Sequence, residues 1–157
     1  TIITNNHVIN NAEDIVVRVG DKEYEAKVLG QDPYSDLAVL KIDTNEKFIP
    51  VKFGDSDKAR VGDWVVAIGN PFGLGGTVTS GIISARNRDI NLTRYDDFIQ
   101  TDASINQGNS GGPLFDPQII PKSTGIEFYK WRVCLHAFRS NSICFVTLSN
   151  PSRPSKK

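Results

Sequence analysis

The chain has 157 residues, 39% of them hydrophobic and 23% charged, which is enough for one modest globular domain with its own core. Eighteen Lys and Arg balance eighteen Asp and Glu, so bulk electrostatics give no support to nucleic-acid binding or to a membrane surface as partner. No apolar run is long enough to span a bilayer, and the chain opens at Thr1 with no methionine anywhere, so it reads as an excerpt whose targeting segment lies elsewhere.

Short strands dominate the expected elements. Val8 to Asp14 can hold one helical turn. Ile15 to Val19 is a β-branched run, Gly20-Asp21 supplies a turn, and Lys22 to Leu29 alternates as the returning strand. Leu37 to Ile42 is a further apolar strand. Val51-Lys52-Phe53 runs into the polar turn Gly54-Asp55-Ser56, and Trp64 to Ile68 is a buried strand closed by Gly69-Asn70-Pro71. Thr77 to Ala85 alternates around Gly81, and Phe98 to Thr101 follows. Strands at this spacing, with no sustained helical period, predict an all-β barrel or sandwich. From Pro117 to Ser142 the strand rhythm is lost, and Ser149 to Lys157 has a composition expected to be disordered. Cys134 and Cys144 stand ten positions apart and match no zinc signature; they could form a disulfide, but read more simply as free or incidental thiols.

The densest chemical signal is Asn106-Gln107-Gly108-Asn109-Ser110-Gly111-Gly112-Pro113. A nucleophilic serine needs a tight exposed turn with backbone N–H groups aimed at the developing oxyanion, and glycine allows such a turn. Ser110 is the candidate nucleophile, with Gly108 and Ser110 as oxyanion donors and Asn109 shaping the turn. A serine hydroxyl also needs a base, and the base needs an orienting acid. His7 and Asp36 precede it, 29 positions apart, with Ser110 a further 74 along. The bland alternatives are a surface histidine, a turn aspartate and a glycine-rich surface turn; the His…Asp…Ser order of all three weighs against them. His136 lies in the divergent tail and reads as incidental. Gly69 to Gly76 lacks the Gly-Lys-Ser/Thr ending of a phosphate loop and is either a plain turn or a loop shaping the site. Asp102 reads as structural. No His/Cys/Asp cluster has metal-ligand spacing, so neither metal nor other cofactor is expected.

Four stretches carry a family resemblance: Thr1-Ile2-Ile3-Thr4-Asn5-Asn6-His7-Val8, Asp36-Leu37-Ala38-Val39-Leu40-Lys41, Val66-Ala67-Ile68-Gly69-Asn70-Pro71-Phe72-Gly73, and Gln100-Thr101-Asp102-Ala103 leading into the serine loop. In this order they resemble the protease domain of the HtrA (Deg) family of trypsin-like serine proteases. The resemblance runs from Thr1 to about Asp116 and divides the chain into a partial protease domain, 1–116, and a divergent tail, 117–157. It implies a chymotrypsin-like double antiparallel β-barrel, incomplete at the N-terminus and atypical after Asp116, with His7, Asp36 and Ser110 catalytic.

It further implies an endopeptidase of protein quality control and stress response, acting on unfolded or damaged polypeptides in the periplasm or cell envelope. Full-length relatives are expected to form homotrimers through a segment before the protease domain and to carry PDZ domains after it, neither of which this chain contains. The alternative is a catalytically inactive truncated or frame-shifted fragment, because the glycine-rich strands that finish the second barrel in such relatives are not recognisable after Asp116.

Overall fold

The computed structural model describes residues 1–48, 52–71, 75–90 and 97–116, with two short strands at 127–129 and 147–149. Its strands are β1 (Ile2–Asn5), β2 (Val16–Val19), β3 (Lys22–Asp32), β4 (Leu37–Ile42), β5 (Lys52–Gly54), β6 (Trp64–Gly69), β7 (Thr77–Arg88), β8 (Phe98–Thr101), β9 (Leu114–Phe115), β10 (Glu127–Tyr129) and β11 (Thr147–Ser149). One sheet has the order β1-β4-β3-β2-β11 and the other β5-β10-β9-β6-β7-β8. A four-residue helix, α1 (Asn6–Ile9), follows β1, and a single 3₁₀ turn spans Ser56–Lys58.

Each sheet buries its own apolar cluster. Ile2, Ile9, Val17, Ala38, Leu40 and Ile42 fill the first; Tyr24 and Phe48 pack against them and meet each other edge to face, ring centroids 6.2 Å apart. Ala59, Val65, Ala67, Ile83, Ile99, Ala103 and Leu114 fill the second. The inward residues alternate along β4 and β6, as a strand with one buried face requires. Leu40, Ile83, Val17 and Val65 are fully buried, each contributing about 2 kcal/mol of apolar transfer free energy.

Several elements differ from the sequence expectation. The helical turn comes earlier than Val8 to Asp14, at Asn6–Ile9, and the chain leaves it through Asn10 in extended conformation and Asn11 at φ 61°. β3 continues beyond Leu29 to Asp32 because a register shift between Val28 and Gly30 lets pairing with β4 resume. β7 continues to Arg88, where the polar Arg86-Asn87-Arg88 is held by pairing with β8 rather than by its own pattern. Within the tail, β10 pairs parallel with β5 and antiparallel with β9 at Phe115, and β11 pairs antiparallel with β2. The parallel pair departs from a purely antiparallel barrel, and the strand that introduces it, β10, lies after Asp116. Cys134, Cys144 and His136 lie outside the described residues.

Candidate active site

Strand register explains why His7 and Asp36 meet. β1 and β4 run antiparallel with Ile2 opposite Leu40 and Asn5 opposite Leu37, so the exit of β1 lies beside the entrance of β4. His7 stands two residues past that exit and Asp36 one residue before that entrance. The His7 N–H donates to Asp36 Oδ1 at 2.9 Å, and the Asn6 N–H donates to the Asp36 carbonyl at 2.9 Å. His7 Nδ1 lies 2.7 Å from Asp36 Oδ2. The Asp36 side chain is 3% exposed and the His7 side chain 45%, so the carboxylate is sheltered while the imidazole reaches solvent. Asp36 sits at φ 57°, a left-handed conformation that aspartate tolerates better than most residues.

Ser110 comes from the other sheet. Its loop connects β8 to β9, and β9 is anchored to β6 by the pairs Val66–Phe115 and Ala67–Leu114 and by the Ile68 N–H donating to the Pro113 carbonyl at 3.1 Å. The loop is a tight double turn: Asn109 N–H donates to Asn106 O at 3.1 Å, and Gly112 N–H to Asn109 O at 2.9 Å. Gly108 has φ 101°. Gly111 is at φ 81°, and a Cβ there would stand 2.4 Å from Thr4 Oγ1, so both conformation and space demand glycine. His7 Nε2 lies 2.9 Å from Ser110 Oγ. A carboxylate, an imidazole and a hydroxyl therefore form one hydrogen-bonded line across the two sheets. Among the described residues, neither the Gly108 N–H nor the Ser110 N–H has a partner within the chain, whereas the Asn109 N–H is engaged in the turn.

The neighbouring segments have defined tasks. Gly69 lies against the serine loop, where a Cβ would stand 2.1 Å from Asn109 Oδ1, so the start of the 69–76 stretch adjoins this site. Asn70 Oδ1 accepts from the Gly75 N–H at 2.8 Å across the residues between them. Asp102 accepts the Ile82 N–H at 2.7 Å, a bond that ties β7 to the segment after β8. No sequence motif assigns a chemical role to Asn5. This residue is 2% exposed, donates through Nδ2 to the Asp36 carbonyl at 3.0 Å and accepts the Gly111 N–H on Oδ1 at 2.8 Å. In sequence it is only an asparagine before a helix, the ordinary signal of an N-cap. Among the described residues no group of three or more His, Cys, Asp or Glu is placed to hold a metal ion.

Comparison with known proteins agrees with this architecture. The trypsin-like peptidase domain family matches residues 1–119. A probable periplasmic serine endoprotease, DegP-like, of Brucella suis biovar 1 (strain 1330) is 62% identical over 117 residues, covering 73% of this chain and 23% of the relative. A protein of the same description from Rickettsia prowazekii (strain Madrid E) is 58% identical over 132 residues, covering 80% of this chain and 26% of the relative. The chain thus spans about a quarter of the length of these relatives. Among solved structures, the HtrA-type protease AlgW with decapeptide superposes with a TM-score of 0.69 at 54% identity, over 73% of this chain and 35% of that one. The fold is of the chymotrypsin-like double-barrel class, and the chain belongs to the trypsin-like peptidase domain family, with HtrA-type proteases among its relatives.

Proposed function

We propose that this chain carries the catalytic machinery of an HtrA-type serine endopeptidase, contained in residues 1–116. The observation that carries the reading is the unbroken line Asp36 Oδ2, His7 Nδ1, His7 Nε2, Ser110 Oγ, with steps of 2.7 and 2.9 Å. Asp36 accepts the Nδ1–H of His7 and so selects the tautomer whose Nε2 is a free base. His7 takes the proton from Ser110 as Oγ attacks a peptide carbonyl, and later gives it to the leaving amine. The N–H groups of Gly108 and Ser110 stabilise the oxyanion, each worth about 3 kcal/mol in the transition state.

The substrate class is unfolded or damaged polypeptide, and the compartment is the periplasm, where the DegP-like relatives are named. The decapeptide that accompanies AlgW in its solved structure supports a polypeptide ligand for proteins of this kind. A fluorophosphonate probe tests the reading directly, because it labels a serine only when base and oxyanion donors are assembled. Labelling of the chain that vanishes in Ser110→Ala, together with casein hydrolysis, is the expected result. A sample that melts cooperatively yet takes up no label would overturn it in favour of an inactive fragment.

A further inference from the structure

We infer that Asn5 is a positioning residue that holds the two halves of the site in register. The inference rests on the proposed catalytic roles of His7, Asp36 and Ser110. Asn5 occupies the N-cap position of α1, where an asparagine side chain ordinarily accepts a helix N–H, yet it makes no capping bond. Its amide instead runs between the sheets. Nδ2 donates to the carbonyl of Asp36, and Oδ1 accepts the N–H of Gly111, 106 positions away.

The chemistry of the two partners leaves one orientation of the amide. A carbonyl oxygen can only accept and a backbone N–H can only donate, so the side chain must present its nitrogen to one and its oxygen to the other. At neutral pH, among side chains of this size, only a carboxamide offers a donor and an acceptor on separate atoms. Both bonds are buried, so losing them leaves the Gly111 N–H and part of the Asp36 carbonyl unsatisfied.

The two anchored groups are adjacent to the chemistry. The Asp36 carbonyl belongs to the residue whose carboxylate orients His7, and that residue is in a left-handed conformation that its surroundings must maintain. Gly111 immediately follows the nucleophile. Beside the His7–Ser110 contact, the Asn5 amide joins the Asp36 turn to the serine loop. Asn5 thereby sets the separation of base and nucleophile without touching either reacting atom.

The test uses the whole 157-residue chain with three readouts: the second-order rate of fluorophosphonate labelling, the downfield proton resonance of His7 Nδ1–H, and the melting temperature. Asn5→Ala is expected to slow labelling by about tenfold to a hundredfold, the range a displacement near 1 Å can cause, and to broaden or remove the resonance. Asn5→Asp is isosteric, keeps an acceptor for Gly111 and loses the donor to Asp36; it too should lose the resonance, and it serves if the alanine variant does not fold. Ile42→Ala, in the core of the same sheet, should lower the melting temperature and leave both site readouts intact. Wild-type labelling and resonance retained in Asn5→Ala and Asn5→Asp would overturn the inference. If the wild type does not label, the catalytic reading fails, and the resonance alone decides the role of Asn5. A wild type without the resonance would overturn the inference too, since there would be no ordered His7–Asp36 pair to hold.

Discussion

The two halves of the site are built on different principles. His7 and Asp36 are 29 positions apart and are brought together by the end of one antiparallel strand pair, so the backbone ladder that forms the sheet also aligns the side chains. Ser110 is 103 positions from His7 and stands on a turn whose shape comes from glycine conformations and close contacts with Thr4, Ile68 and Asn109. The first half inherits its precision from secondary structure; the second depends on how tightly a loop is clamped. Substitutions in the first half should therefore act mainly on chemistry, whereas those at the glycine contacts that clamp the second should act on chemistry and stability together.

The largest effect is expected at the nucleophile. Ser110→Ala should lower kcat on peptide substrates on the order of 10⁶-fold, with the melting temperature nearly unchanged, as measured by steady-state kinetics beside calorimetry. Asp36→Asn comes next. It preserves shape but presents an amide where the carboxylate accepted the Nδ1–H, which favours the wrong tautomer, and kcat should fall about 10⁴-fold. Equal activity in this variant would dissolve the contrast between the halves, because the strand-pair geometry would then be irrelevant to the chemistry.

Gly69→Ala probes the clamped half. The new methyl group would collide with the Asn109 side chain at 2.1 and 2.7 Å, so the variant should lose about 1–3 kcal/mol in denaturant unfolding and label more slowly. Adding Asn109→Ala removes the two nearest obstructing atoms, and the double variant should be more stable than the sum of the single effects predicts. Strict additivity would place the strain somewhere other than this contact.

The smallest effect belongs to a turn far from the chemistry. Asp63 receives the Arg60 guanidinium at 2.9 Å and the Arg60 N–H at 2.8 Å, and its own carbonyl accepts the Ile83 N–H at 2.9 Å. The side-chain bond from Arg60, followed by the backbone bond and the nearby charge, holds this carboxyl below its ordinary value of 3.8, with burial opposing. A depressed carboxyl pKa stabilises the fold above the unfolded value, and that contribution is lost as pH falls through the folded value. Arg60 is largely exposed, so solvent screening limits the pair to about 0.5–1 kcal/mol. The gap in denaturation midpoint between wild type and Asp63→Asn should be present near neutral pH and close below about pH 4. A gap that persists in acid would mean that the carboxylate charge is not the stabilising feature.

Much of the fold was legible because its strands carry their own pattern. β4 and β8 have the bounds that Leu37 to Ile42 and Phe98 to Thr101 suggest, since apolar residues there face a core and turn residues flank them. The extra lengths of β3 and β7 were not legible, because Gly30-Gln31-Asp32 and Arg86-Asn87-Arg88 acquire strand character from partners across the sheet. The triad candidates could be picked out by residue type and motif. Asn5 could not, because its two hydrogen bonds go to residues 31 and 106 positions away.

The order of residues along the chain determined which elements could form and which side chains had the chemistry for proton transfer, because propensity, alternation and functional groups are local properties. Tertiary structure alone decided that His7 lies within hydrogen-bond reach of both Asp36 and Ser110, and that Asn5 ties the turn of one to the loop of the other. Distances between residues remote in sequence depend on how two sheets pack, and no local pattern encodes that packing.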